Sequence, residues 1–142
     1  MSAQSVIHLE IVVPNETRYL RLIGNLAEVV ARTLENYSGD REDLAYHLNL
    51  VLTEAMVNAI EHCPSSKNGH PIRVCIYIEG KELHILVYDQ GQGFDLEAVP
   101  APDFNALNER GRGIYLIRSL MDKVAYRRTE CGNVLEMHKK LG

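Results

Sequence analysis

Three polar side chains follow one another along one side of an apolar segment in the middle of the chain. Glu54, Asn58 and His62 are spaced four residues apart within residues 52–62, and in a helix this spacing places them on one face. A carboxylate and an amide one turn apart offer the oxygen ligands that Mg²⁺ prefers. The segment predicts either a cation-binding line on a helix or an ordinary solvated face, which is the commoner fate of such residues.

An acidic residue and two glycines follow a strongly apolar run. The run leads directly into Asp89, Gly91, Gly93 and Phe94. Glycine lets the backbone come close to a ligand. A carboxylate at the end of a buried strand needs a partner, and the amino group of adenine is one candidate. The alternative is a plain turn after a strand, because glycine-rich turns are common.

A second glycine pair opens an apolar segment further along the chain, in Arg110, Gly111, Arg112, Gly113 and Ile114. Free backbone amides at the start of a helix form an anion site, supported by the helix dipole. The two arginines can add positive charge. The segment is neither a phosphate-binding P-loop nor a dinucleotide fingerprint, and a hinge is the alternative interpretation.

The elements that must position these segments follow from the apolar pattern. It predicts strands over 6–13, 72–78, 83–88, 123–128 and 133–139, and helices after Asn15, after Asp40 and from Ile114. Asn15 and Asp40 are candidate helix caps. Residues 94–110 have little periodicity and predict a long loop of the kind that often acts as a lid.

The order of these elements predicts the fold. Strands that follow one another through short turns pair antiparallel, so we expect a two-layer α+β sandwich with three helices on one face of a mostly antiparallel sheet. The 142 residues predict one domain over 1–142.

Composition excludes several classes of function. The net charge is −4, which argues against direct nucleic-acid binding through phosphate neutralisation. No basic leader and no apolar run long enough for a membrane span is present in the sequence. The three cysteines are far apart and odd in number, which is typical of reduced thiols. We therefore expect a cytoplasmic protein without a membrane partner.

The three segments in combination are more specific than any one of them. A Glu-x-x-x-Asn-Ala helix, then Asp-x-Gly-x-Gly-Phe after a strand, then Gly-x-Gly at a helix start resembles the GHKL ATPase superfamily over residues 48–141. Within it, the chain is most similar to the anti-sigma factor serine kinases, on the segments 52–55, 111–114 and 121–124. The resemblance implies the Bergerat, or histidine-kinase, type of fold with a mixed sheet.

The resemblance also implies roles for the site residues. Glu54 would be the general base, Asn58 would coordinate Mg²⁺, and Asp89 would bind the amino group of adenine. The rest of the implied ATP pocket is His62, Gly91, Gly93, Phe94, Arg110, Gly111, Arg112, Gly113, Ile114 and Asn133. His62 is equally well explained as a structural histidine. Asn133 stands where the family commonly has a threonine, which supports the adenine-binding aspartate through water.

The function implied by the resemblance is an ATP-dependent serine/threonine-protein kinase in a partner-switching system. Such a kinase phosphorylates a serine on a STAS-type antagonist protein and binds a sigma factor or similar regulator, and it can form a homodimer. One alternative is a non-catalytic module in which ATP adjusts affinity for a protein partner. A simple ATP hydrolase is a further alternative.

Overall fold

The computed structural model describes residues 7–35, 37–61, 70–90, 110–130 and 132–142, with only the backbone at positions 110–112. Its helices are α1 (Leu20–Thr33), α2 (Arg41–Glu61) and α3 (Arg110–Leu120), and a 3₁₀ helix, Thr17–Tyr19, precedes α1. Its strands are β1 (His8–Val13), β2 (Ile72–Glu79), β3 (Glu82–Asp89), β4 (Lys123–Thr129) and β5 (Gly132–Lys140).

The five strands form one sheet in the order β1-β2-β3-β5-β4. Each of the four neighbouring pairs in this described sheet is antiparallel. The predicted two-layer α+β fold is therefore confirmed, and its sheet is more uniform than the mixed sheet that the resemblance implies. The chain places β5, rather than β4, beside β3.

The hairpin of β2 and β3 is antiparallel with a short turn, as its apolar pattern predicts. Glu79 pairs with Glu82, so the turn consists of Gly80 and Lys81 alone. Gly80 has a φ of 61°, in the region that glycine enters without a steric cost. Two-residue turns with positive φ match the twist of an antiparallel pair, and this turn fixes which side chains of β3 face the helices.

The helix α2 is the element that carries the polar line. Asp40 caps it, because its Oδ1 accepts hydrogen bonds from the amides of Glu42 at 2.8 Å and Asp43 at 3.3 Å. One side of α2 is buried against the sheet and the other helices, through Leu44, Leu48, Val51, Leu52, Ala55, Met56 and Ala59. Burial of this stripe fixes the rotation of α2 about its axis.

The start of the first helical segment differs from the expectation. Asn15 was predicted to cap it, but Glu16 occupies the cap position of the 3₁₀ helix and no side chain makes a capping bond there. Asn15 is instead buried. The 3₁₀ helix turns the chain first, so α1 begins at Leu20 and not directly after Asn15.

None of the described helices combines the length and the apolar character that a membrane-spanning segment needs.

Candidate functional site

Glu54 and Asn58 lie one turn apart on α2, at the border between its buried stripe and solvent. Both side chains are partly buried, and the buried Ala55 and Ala59 follow them directly. Both make polar contacts in the folded chain. The structure therefore supplies a carboxylate and an amide on one face of a firmly packed helix. His62, the third member of the predicted line, lies outside the described residues.

The carboxylate of Glu54 lies against the first turn of α3. A Cβ atom built on Gly113 would be 2.6 Å from Oε2 of Glu54 and 3.5 Å from its Cδ. Real Cβ atoms do not approach other heavy atoms so closely, so only glycine leaves room for the carboxylate in this position. The sequence predicts Gly113 for its backbone amide, and the structure adds a steric reason.

The rest of the second glycine motif lies in the first turn of α3 as well. Arg110, Gly111 and Arg112 belong to the helix itself. The first amides of a helix have no partner within it, and the helix dipole favours an anion there. Ile114 is buried in the hydrophobic core, so its side chain anchors this turn, and contact between its backbone and a phosphate stays a prediction.

Asp89 and Asn133 form a buried polar pair at one end of the sheet. They are opposite each other in the β3–β5 register, and Nδ2 of Asn133 donates a 3.0 Å hydrogen bond to Oδ1 of Asp89. Only 4% of Asp89 and 3% of Asn133 is exposed. Burial of a carboxylate is costly unless it is hydrogen-bonded, and the amide of Asn133 supplies part of that compensation.

Gly132 allows β5 to come close to β3 beside this pair. Its φ is 123°, and a Cβ atom there would collide with the main-chain oxygen of Asp89. Both the conformation and the contact require glycine. The sequence places Gly132 in the turn before the last strand, and the structure adds a steric reason for glycine there.

Three polar residues where α1 packs against α2, Glu28, Asn49 and Thr53, have a structural role. Thr53 donates a 3.1 Å hydrogen bond to Oδ1 of Asn49, whose Nδ2 donates to Glu28 at 2.7 Å. Gly24 allows this close approach, because a Cβ there would be 2.8 Å from Oδ1 of Asn49. These bonds join α1 to α2. Thr53 therefore stabilises the helix pair, although it lies next to Glu54 in the motif.

The helix α2 contacts both α3 and β3, so it lies between the two parts of the candidate site. Gly91, Gly93 and Phe94 lie outside the described residues, as does most of the predicted lid. Within the described part of the chain, no three His, Cys, Asp or Glu side chains form a metal cluster. The described site thus offers the Glu54 carboxylate beside the start of α3 and a buried hydrogen-bonding pair at the end of the sheet.

The model of the histidine kinase-like ATPase domain family matches residues 13–139, which include both parts of this site. The chain belongs to this family. The match extends from the last residue of β1 almost to the end of β5, so the described elements and the candidate site are those of a family member. ATP is the nucleotide of the family, and the chain is accordingly an ATP-binding protein.

Two relatives place the chain more narrowly within the family. It is 32% identical to the serine-protein kinase RsbW of Staphylococcus epidermidis, over 93% of this chain and 86% of that protein. It is 29% identical to the serine-protein kinase RsbW of Bacillus velezensis, over 84% of this chain and 78% of that protein. The chain is therefore a serine/threonine-protein kinase, as the resemblance implies.

A solved structure supports the fold independently. The histidine kinase domain of a blue-light activated histidine kinase from Erythrobacter litoralis superposes with a TM-score of 0.55. The superposition covers 99% of this chain and 70% of that one, at 17% sequence identity. The likeness confirms the predicted histidine-kinase type of fold.

Proposed function

We propose that this kinase works in a partner-switching system, in which it phosphorylates a serine of a STAS-type antagonist protein and restrains a sigma factor or similar regulator. The names of the relatives support the kinase reaction. The antagonist and the sigma factor come from the resemblance of the motifs to anti-sigma factor kinases. A sigma factor acts with RNA polymerase in the cytoplasm, so the proposal places the kinase in that compartment.

The observation that carries the proposal is the position of the Glu54 carboxylate against the first turn of α3. Phosphoryl transfer depends mainly on positioning and on neutralising charge. The amides of that turn, including those of Gly111 and Gly113, are where we expect the terminal phosphates. Glu54 then stands beside them and accepts the proton of the incoming serine hydroxyl, as a general base must.

The nucleotide is proposed to bind between this turn and the end of β3. Asp89 accepts a hydrogen bond from the amino group of adenine. Gly91, Gly93 and Phe94 pass beside the base. Arg110, Arg112 and His62 add positive or hydrogen-bonding groups near the phosphates. The contact between α2 and both α3 and β3 supports a single pocket that spans the two parts.

The donor set on α2 fits a magnesium ion held mainly by the nucleotide. Mg²⁺ usually binds through one or two protein oxygens together with phosphates and waters, rather than in an all-protein cage. The Asn58 side chain, one turn from the Glu54 carboxylate, provides such an oxygen. When bound, the ion would neutralise charge on the phosphates, and Asn58 would be the side chain that holds it.

The experiment that tests the proposal is phosphotransfer in a lysate of the host cell. The purified chain is added with Mg²⁺ and γ-labelled ATP, and labelled proteins are separated and sequenced by mass spectrometry. We expect one small labelled protein with an acid-stable phosphoserine in a STAS domain. Normal ATP binding without any labelled protein would contradict the proposal and favour a non-catalytic module. Steady phosphate release without a labelled protein would favour a hydrolase.

A further inference from the structure

Two glycines on two different helices face α2 at the same level. A Cβ atom built on Gly24 of α1 would be 2.8 Å from Oδ1 of Asn49 and 3.0 Å from Oγ1 of Thr53. A Cβ atom built on Gly113 of α3 would be 2.6 Å from Oε2 of Glu54. Thr53 and Glu54 are consecutive residues, so α1 and α3 contact α2 from two sides at one point along its length.

A chain of hydrogen bonds leads from Thr53 across α1 and back to the start of α2. Thr53 donates to Oδ1 of Asn49 at 3.1 Å, and Nδ2 of Asn49 donates to Oε2 of Glu28 at 2.7 Å. The other oxygen of Glu28 accepts a 3.2 Å bond from Arg32, which also donates to Glu42 at 2.9 Å. A carboxylate can only accept, so Asn49 must turn its nitrogen toward Glu28 and its oxygen toward Thr53.

We infer that Asn49 is a positioning residue for phosphate transfer. Its bond to Glu28 holds α2 against α1 and thereby keeps the carboxylate of Glu54 at the first turn of α3. The inference rests on the proposed function, in which Glu54 accepts the proton of the serine hydroxyl. Asn49 lies outside the motifs that mark the pocket, and it acts on the reaction through the position of Glu54.

The polar bonds define the position of α2 more strictly than its apolar stripe does. The stripe fixes the rotation of the helix, but attraction between apolar surfaces has no direction. Hydrogen bonds require defined distances and angles, and a short bond to a carboxylate belongs to the stronger, charge-assisted class. Only 25% of the Glu28 side chain is exposed, so water competes little for this bond.

Phosphate transfer is sensitive to small displacements of the base. A general base must lie within hydrogen-bond reach of the proton that it accepts, and a misplacement of about 1 Å can cost about a hundredfold in rate. Most of the contacts proposed for ATP come from the end of β3 and the first turn of α3. A small shift of α2 should therefore lower the rate of transfer much more than the affinity for ATP.

The test exchanges the amide and the carboxylate of the pair. Asn49→Asp places two carboxylates where the 2.7 Å bond now lies, and like charges repel at this distance. Glu28→Gln alone keeps an acceptor oxygen for Asn49. The double variant, Asn49→Asp with Glu28→Gln, restores the bond with donor and acceptor exchanged, and it keeps an acceptor for Thr53.

The measurement is transfer of labelled phosphate to the antagonist over a range of ATP concentrations, well below the temperature of unfolding. In Asn49→Asp, kcat should fall at least about tenfold, while the KM for ATP stays within about threefold. Glu28→Gln should keep kcat within about threefold of the unaltered protein, and the double variant should regain most of the lost kcat. Asn25→Asp, the same change on the exposed side of α1, is the control and should transfer normally.

Two results would overturn the role of Asn49. The first is a normal kcat in Asn49→Asp. The second is a loss that the double variant does not recover, or one that raises the KM for ATP and lowers thermal stability in proportion, because either pattern would mean a merely structural role.

Gly24→Ala keeps the test decisive if Asn49→Asp does not fold. Alanine is a better helix former than glycine, and the added methyl group must displace the end of the Asn49 side chain. The kcat should fall at least about threefold, since the bond to Glu28 is then disturbed. An unchanged kcat would overturn the inference.

The failure of the inference and the failure of the proposed function give different results. Equal transfer by the unaltered protein and by all of these variants would leave the kinase standing and overturn the role of Asn49. Absence of transfer by the unaltered protein would contradict the proposed function itself, and the inference would fall with it.

Discussion

The carboxylate of Glu54 lies so close to the backbone of Gly113 that a methyl group added at Gly113 would collide with it. The Cβ position of Gly113 is 2.6 Å from Oε2 of Glu54. This contact joins the middle of α2 to the first turn of α3. It places the only acidic residue of the predicted polar line beside amides that suit a phosphate.

Gly113→Ala is the direct test of this contact. The added methyl group must displace the flexible end of Glu54, so we expect phosphate transfer to fall by at least about tenfold, or about 1.4 kcal/mol. Alanine favours a helix by roughly 0.8–1.0 kcal/mol over glycine, so thermal stability should stay level or rise. The measurements are transfer of labelled phosphate and thermal unfolding.

Ser119→Ala is the matched control for Gly113→Ala. Ser119 is exposed on the same helix and bonds only to the carbonyl of Tyr115 among the described residues. It should leave transfer unchanged. Normal transfer by Gly113→Ala would mean that the position of the Glu54 carboxylate against α3 is not needed for the reaction.

Asn58→Ala should weaken the binding of Mg-ATP at least about tenfold, or about 1.4 kcal/mol, because it removes the protein oxygen proposed for the metal. The loss should be much smaller when ATP is titrated with the metal chelated. Isothermal titration with and without Mg²⁺ measures both. Asn25→Ala, on the exposed side of α1, is the control. Equal losses with and without Mg²⁺ would refute a role for Asn58 at the metal.

Asp40→Ala should destabilise the chain by about 1 kcal/mol, since it removes the acceptor for two amides at the start of α2. Asp40→Asn keeps an acceptor oxygen and should cost much less. Urea unfolding measures both variants, and the affinity for ATP should be unchanged in each. Equal stability of the alanine variant and the unaltered protein would show that the cap contributes nothing.

The stability of the fold should depend on pH through His138. Burial, and then the neighbouring His84, lower the pKa of His138 below its usual value, while Glu136 and Glu82 oppose the shift and Lys123 adds to it. His138 and His84 are in edge-to-face contact across β3 and β5. The unfolded chain therefore binds a proton at a higher pH than the folded one, and stability is lost as the pH falls through about 6.5.

His138→Gln should remove part of that dependence. Urea midpoints measured from about pH 8 to about pH 5 should converge or cross for the two proteins as the pH falls, because the variant has no proton to bind at this position. A difference in midpoint that is constant across this range would contradict the assignment.

The sequence predicts the local parts of this fold well. The cap by Asp40 and the short turn between β2 and β3 each depend on a few neighbouring residues, and both are present. The buried stripe of α2 follows from spacing alone. Asn15 fails as a cap because a 3₁₀ helix intervenes, and such a short element leaves no periodic signal.

The site is only partly predictable, because its contacts join distant segments. The register that places Asn133 opposite Asp89 depends on β5 lying beside β3, which the hairpin pattern of β4 and β5 does not reveal. The contact of Glu54 with Gly113 depends on how α2 packs against α3. The motifs identify the residue types in the pocket, and the tertiary packing determines which of them touch.

The most direct test of the central claim is Glu54→Gln in the purified kinase, with Glu61→Gln at the exposed end of the same helix as the control. Glutamine preserves the size of the side chain and removes its basicity. Glu54→Gln should bind Mg-ATP within about threefold of the unaltered protein and transfer no phosphate to serine, while Glu61→Gln should transfer normally. Normal transfer by Glu54→Gln would contradict the account.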